Sequence, residues 1–167
     1  VIIGVGVKPN IKLAQNCGLK TDNGICVDEY ANTSDPDIVA AGDCTAFYHE
    51  LYQRNIRLES IQNAMEQAKA AAASICGKQM HHKDFVPRFW SDQYHLKLQM
   101  IGLPDGYDQV EIRGEIESQG DFCAFYLKAG KLISVSSVNM PKVLMKAQGH
   151  IKTQGLVSGE DIDLMVQ

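Results

Sequence analysis

The run Thr33-Ser34-Asp35-Pro36-Asp37-Ile38-Val39-Ala40-Ala41-Gly42-Asp43 constrains this chain more than any other stretch. It reads as a polar turn, a short apolar strand and a Gly-Asp step. Ser34, Asp35 and Pro36 supply turn chemistry, through side chains that bond the local backbone and a fixed proline φ. Residues 38–41 are small or β-branched and apolar, the pattern of a strand buried on both faces. Gly42 has no Cβ and admits a ligand or a second backbone at close range. Asp43 then places one carboxylate at the carboxyl end of the strand, where open α/β sheets bind their ligands. Read without a ligand, the same residues make a strand-to-helix turn with Asp43 as N-cap, worth about 0.5–2 kcal/mol.

The segment Arg57-Leu58-Glu59-Ser60-Ile61-Gln62-Asn63-Ala64 opens the strongest helix in the sequence. Ile61, Ala64, Met65, Ala68, Ala71, Ala72 and Ile75 recur with helical spacing, and their small side chains predict close packing against a sheet. Ser60 is the N-cap candidate and Gly77 the stop. The free N–H groups and positive dipole end of such a helix suit a negatively charged ligand. Upstream, residues 1–7 read as a buried strand. Gly4 and Gly6 do not make a dinucleotide fingerprint there, because a third glycine is missing and Pro9 follows. Asn10 is the expected cap of a short helix that Gly18 ends, residues 24–28 read as a short strand, and residues 45–57 as a loop-like connection carrying Phe47, Tyr48 and Tyr52.

A polar link at His81-His82-Lys83-Asp84 marks a boundary. Adjacent loop histidines seldom converge on one metal ion, and no third ligand is evident, so the reading is no metal site. Beyond the link the pattern changes to strands. Leu96, Leu98 and Met100 alternate with polar residues, as do Val110 and Ile112. Residues 122–127 and 132–138 flank Ala129-Gly130 as a hairpin, and Pro141 opens a closing helix with Val143, Leu144 and Ala147. Residues 86–167 therefore read as an antiparallel sheet with helices.

Three motifs carry a family resemblance. The first run resembles the second flavin-contacting motif of the FAD/NAD(P)-linked reductases, T-x-x-P-x-I-x-A-x-G-D, in which the aspartate bonds the ribityl chain of FAD. The helix start resembles the family's contact with the flavin pyrimidine edge, where a main-chain N–H donates; the matching position is Ile61. Pro87-Arg88-Phe89-Trp90-Ser91-Asp92-Gln93-Tyr94 resembles the signature that opens the C-terminal domain of the ferredoxin, rubredoxin and putidaredoxin reductases. Without the resemblance, the chain's one tryptophan reads as core packing with its N–H satisfied. The resemblance implies that Trp90 lies near the flavin edge where the electron carrier docks.

The resemblance implies an α/β fragment of an FAD-binding domain followed by an α+β C-terminal domain. Residues 1–20 are expected to close an NAD(P)-binding domain and cross over, 21–84 to form the second part of the FAD-binding domain, and 85–167 the C-terminal reductase domain. The expected cofactors are FAD and NAD(P)H, and the expected FAD contacts are Gly42, Asp43, Ile61, Gln62 and Trp90. No catalytic side chain is expected, since hydride passes from nicotinamide to flavin and single electrons pass on to the carrier. The family's two glycine-rich nucleotide loops are absent from these residues, so the fragment alone is expected to be inactive.

Charge and composition narrow the partners. The net charge of −4 gives no case for nucleic acid. Between Asp121 and Glu160 there is no acidic residue, yet Lys128, Lys131, Lys142, Lys146 and Lys152 lie there. That is either a solvated basic face or a docking surface for an acidic ferredoxin or rubredoxin, with Trp90, Lys142 and Lys146 as its candidates. No apolar run reaches the roughly 18 residues of a membrane span. The five cysteines follow no metal or iron–sulfur spacing, which fits a reducing, cytoplasmic setting. Two alternatives stay open: a non-catalytic interaction or dimerisation module, and a flavoprotein NADH oxidase, nitrite reductase component or apoptosis-inducing-factor-like protein.

Overall fold

The computed structural model describes residues 1–82, 85–116 and 120–167, so Lys83 and Asp84 of the expected link lie outside the described residues. The chain forms two compact units, Val1–Phe85 and Val86–Gln167. An α/β unit precedes an antiparallel sheet with helices.

In the first unit, helix α1 (Lys12–Asn16) leads to strands β1 (Thr21–Asp22) and β2 (Gly24–Cys26). β2 pairs in parallel with β3 (Thr45–His49), and β3 pairs antiparallel with β4 (Arg54–Ile56), giving the order β1-β2-β3-β4. Helix α2 (Ile61–Ile75) follows. Ala31, Ala70 and Ala71 form a buried cluster with Val39 packed against it, and Ala46, Phe47, Ile56 and Leu58 are buried as well.

Local signals are obeyed where the chain can satisfy them alone. Ser60 caps α2 by accepting from the Asn63 N–H at 3.2 Å. Gly77, at φ +66°, ends it, with Gly77 N–H bonding Ser74 O and Lys78 N–H bonding Ala73 O, the paired bonds that close a helix on a left-handed residue. Gly18 ends α1 in the same way, but Ile11 rather than Asn10 occupies the cap position, and no side chain caps that helix.

Four expectations fail. Residues 1–7 are not a buried strand: they are exposed and join no strand ladder among the described residues. A strand buried on both faces needs neighbouring strands for its backbone groups, and none of the described strands lies beside these residues. Residues 38–41 are not a strand either. One bridge, Asn32 to Val39, is the only ladder contact there among the described residues, because Thr33 N–H bonds Ile38 O and folds the run back on itself. The segment 45–57 is the β3–β4 hairpin rather than a loop. Finally, α2 buries Asn63, Gln67, Ala70 and Ala71 and exposes Ile61, Met65, Ala68, Ala72 and Ile75. The first half of its inner face, Asn63 and Gln67, is set by hydrogen bonds, which apolar periodicity does not report.

The second unit is a five-stranded antiparallel sheet in the order β5-β6-β9-β8-β7. Its strands are β5 (Arg88–Gln93), β6 (Leu96–Gly102), β7 (Gln109–Gly114), β8 (Phe122–Lys128) and β9 (Lys131–Val138). The β8–β9 hairpin turns at Ala129 (φ 49°) and Gly130 (φ 73°), both left-handed, as a two-residue turn matched to strand twist requires. Helix α3 (Pro141–Thr153) starts on its proline and lays Val143, Leu144, Ala147 and Ile151 against the sheet, whose Ile101, Phe125, Leu132 and Val135 are buried. Spacing of about one turn puts those four α3 residues on one side.

Helix α4 (Gly159–Val166) follows α3, and apolar periodicity does not predict it. Its signal is a capping box: Ser158 Oγ accepts from Asp161 N–H, and Asp161 Oδ2 accepts from Ser158 N–H at 2.8 Å. Arg113 Nε donates to Asp163 Oδ1 at 2.6 Å and so fastens α4 to β7. Val110 and Ile112 alternate as expected but point outward, while Glu111 and Arg113 take the more sheltered side. No helix among the described residues is long and apolar enough to cross a membrane.

Candidate functional site

The polar turn at residues 33–37 is built by its own side chains. Asp35 Oδ1 accepts from Asp37 N–H at 2.9 Å, and Thr33 Oγ1 donates to Ile38 O at 2.8 Å. Ser34 Oγ accepts from Lys20 N–H at 2.9 Å and anchors the turn to the chain just before β1. The run then descends to Gly42 and Asp43, which lead into β3 and not into a helix, so Asp43 caps nothing. Asp43 stands in a tight turn closed by Thr45 N–H to Gly42 O at 3.0 Å.

Gly42 has φ +89°, and a Cβ there would meet nothing nearer than Ala64 Cβ at 3.9 Å. Its glycine is therefore required by backbone conformation rather than by crowding. The Gly42 N–H donates to Gln67 Oε1 at 2.7 Å. Thr45 Oγ1 lies 2.8 Å from both Gln67 Oε1 and Gly42 O. Asn63 Nδ2 donates to Leu58 O at 3.2 Å and approaches Gln67 Oε1 at 3.3 Å. Both amides are fully buried. Arg57 ties the same region from the side, donating to Asp43 O and Val7 O at 3.4 Å each and pairing with Glu59.

These bonds bring three predicted positions into one neighbourhood: Gly42, Asp43 and the start of α2. The Asp43 side chain is exposed, and its carboxylate has no partner among the described residues. Ile61 occupies the first turn of α2 and is 61% exposed; its N–H has no intrahelical carbonyl to bond. Gln62 is half-buried beside it. The residues that sequence reasoning missed are Asn63, Gln67 and Arg57. Two amides one helical turn apart, off the apolar stripe of an alanine-rich helix, were the available signal.

Cys44 is half-buried, with Sγ 3.7 Å from Ala41 O. The two histidines separate: His81 stays exposed against Tyr30, whereas His82 is buried, bonds Asp28 O through Nε2 at 2.9 Å and packs edge-on to Phe47. A neutral ring donating from Nε2 satisfies that carbonyl, and burial holds the His82 pKa below its ordinary value.

In the second unit, Trp90 lies on the edge strand β5, opposite Gln99, and is 52% exposed. It does not pack into a core. It lines a groove of about 330 Å³ with Arg88, Phe89, Met100, Pro141 and Met145. Lys142 follows Pro141 in the first turn of α3, is exposed, and its ammonium has no partner among the described residues. Lys146 is also exposed, but its Nζ donates to Leu164 O at 3.1 Å and is drawn toward α4.

Residues 1–72 match the family described as pyridine nucleotide-disulphide oxidoreductase, and residues 88–163 match the family described as reductase C-terminal. Putidaredoxin reductase of Pseudomonas putida is 48% identical over 141 residues, covering 84% of this chain and 33% of that protein. The chain belongs to the pyridine nucleotide-disulphide oxidoreductase family. Rhodocoxin reductase of Rhodococcus erythropolis is 46% identical over 154 residues, covering 92% of this chain and 36% of that protein. Among solved structures, the covalent putidaredoxin reductase–putidaredoxin complex superposes with a TM-score of 0.85 at 41% identity, covering 98% of this chain and 38% of that one. The chain thus spans about a third of the length of the curated relatives it matches. Within this family it corresponds to a C-terminal portion that ends in the reductase C-terminal fold.

Proposed function

We propose that this chain is part of a flavoprotein oxidoreductase that passes electrons from NAD(P)H through FAD to a small ferredoxin or rubredoxin. The observation that carries the reading is the Asp43 carboxylate. It is exposed, has no partner among the described residues, and stands on a turn bonded to the opening turns of α2. Bound FAD supplies the conversion of a two-electron hydride transfer into single-electron steps. The residues present fit that group. A free carboxylate is an acceptor for ribityl hydroxyls, and the positive end of α2 complements negative charge on the pyrimidine edge. Asp43 would hold the ribityl chain, and the Ile61 N–H would donate to the flavin edge. Gly42 and Gln62 would frame that contact.

Residues 1–20 would close the NAD(P)-binding domain, 21–84 would complete the FAD-binding domain, and 85–167 would form the reductase domain. The match of the reductase C-terminal family supports the last of these. In that domain Trp90 offers an exposed aromatic edge for the carrier, beside the groove that α3 borders. Lys142 would meet carrier carboxylates, and Lys146 would add a second positive charge on the same helix. The names of the relatives, which include rubredoxin-NAD(+) reductase of Pseudomonas putida, support carriers of this class. The cytoplasm is the proposed compartment.

The test is turnover by the full-length protein loaded with FAD. NADH or NADPH oxidation that becomes fast only when a ferredoxin or rubredoxin is added supports the reading. Rapid oxidation with dioxygen alone, indifferent to any carrier, would instead identify an oxidase.

A further inference from the structure

We propose that Gln67 is a positioning residue that sets the direction of the Asp43 carboxylate, an inference that rests on the reading of Asp43 as the FAD ribityl contact. Gln67 is fully buried, 25 residues along the chain from Gly42, and its Oε1 gathers the polar groups on both sides of Asp43. The Gly42 N–H before Asp43 reaches it at 2.7 Å, and the Thr45 hydroxyl after Asp43 at 2.8 Å. Asp43 is thus the outward tip of a four-residue turn whose two feet stand on one side-chain oxygen.

The chemistry fixes which way the amide faces. A backbone N–H can only donate, so Gln67 must present its oxygen to Gly42, because the flipped amide would set its own N–H against that donor. Asn63 supports this orientation one helical turn earlier, with Nδ2 at 3.3 Å from the same oxygen. The arrangement leaves Gln67 Nε2 and Asn63 Oδ1 buried with no partner among the described residues. Two buried amides with unspent groups are not what packing alone selects, since burial without a bond is costly. A rigid turn beneath an exposed carboxylate is what the pair delivers. Gly42 at φ +89° cannot hold the turn unaided, because glycine is the residue freest to leave that conformation.

The experiment is a double-mutant cycle on the full-length protein, titrating apoprotein with FAD by quenching of flavin fluorescence. Gln67→Met keeps length and removes the acceptor. It is expected to raise the FAD Kd about tenfold in the wild-type background and less than twofold in the Asp43→Ala background, because its effect passes through Asp43. Gln67→Glu, which keeps an acceptor oxygen, is expected to stay within about threefold of wild type. Equal losses in both backgrounds would overturn the positioning role and leave Asp43 as a contact. An Asp43→Ala variant that binds FAD as wild type does would overturn the ribityl reading itself, and the positioning role with it. If Gln67→Met does not fold, Thr45→Val carries the same cycle, with a loss of about threefold expected in the wild-type background only; a loss of equal size in both backgrounds would overturn the role again.

Discussion

The Gly42 N–H and Gln67 Oε1 are 2.7 Å apart, and this one bond joins the end of the 33–43 motif to the second turn of α2. It holds a left-handed residue in place, at φ +89°, where space for a side chain exists but the conformation disfavours one. Gly42→Ala should therefore cost about 1–2 kcal/mol through backbone strain rather than a clash. Urea unfolding of wild type and variant reads this directly. A loss below the error of the measurement would mean that the turn relaxes freely.

Ser60 caps α2: its Oγ accepts the Asn63 N–H at 3.2 Å. Ser60→Ala should destabilise by about 1 kcal/mol, and Ser60→Asp should recover most of it, because aspartate caps as well and also suits the positive helix end. Thermal unfolding of the two variants separates the hydrogen bond from a loss of side-chain bulk.

His82 links stability to pH. Burial lowers its pKa, against the raising pull of the Asp28 carbonyl bond and of the Asp28 and Glu29 charges. Below the ordinary histidine value the unfolded chain binds a proton that the folded chain resists. Stability from this group is thus present above about pH 6.5 and is lost as pH falls through that value toward the lowered folded pKa. The slope from one group cannot exceed about 1.4 kcal/mol per pH unit. Unfolding free energies measured from pH 7.5 down to 5.5 should fall less steeply in His82→Gln than in wild type. Parallel curves would assign the acid sensitivity to other groups.

Cys123 is fully buried on β8, with Sγ 3.5 Å from Met140 Sδ, and burial pushes its thiol up to about 11. Almost no thiolate is present at pH 8, and none is accessible. Mass-spectrometric mapping after iodoacetamide at pH 8 should show Cys123 unmodified in the native protein and modified in denaturant.

Lys142 and Lys146 differ in availability, because Lys146 already donates to Leu164 O at 3.1 Å. Charge reversal at Lys142 should slow reduction of an acidic carrier more than reversal at Lys146, and raised salt should shrink the difference. Steady-state KM for the carrier at two ionic strengths checks both statements. Equal KM values for wild type, Lys142→Glu and Lys146→Glu would place the docking surface elsewhere.

Features that one segment can satisfy alone were legible in the sequence. Ser60, Gly77, Pro141 and the Ala129-Gly130 turn each act within a few residues, and each stands where its local chemistry puts it. Features that need a distant partner were not. Residues 38–41 have the composition of a buried strand, yet among the described residues only Val39 finds a bridge, and it is antiparallel to Asn32. The β3–β4 hairpin hid behind three aromatics that read as loop decoration, although aromatic residues favour strands. On α2 the apolar stripe from Ile61 to Ile75 pointed to the wrong face, because Gln67 turns inward to bond the 42–45 turn and Asn63 turns inward to bond Leu58 O and Gln67. Asp43 follows Gly42 as an exposed carboxylate, but its setting is a turn entering a strand rather than the end of one.

The most direct test of the central claim is the FAD affinity of the full-length protein with Asp43→Ala. Charge-assisted hydrogen bonds are worth about 1.5–3 kcal/mol, so removing the carboxylate should weaken FAD binding by about ten- to a hundredfold, with the unfolding free energy little changed because Asp43 is exposed and its side chain bonds no group among the described residues. An Asp43→Ala protein that binds FAD as tightly as wild type would contradict the account.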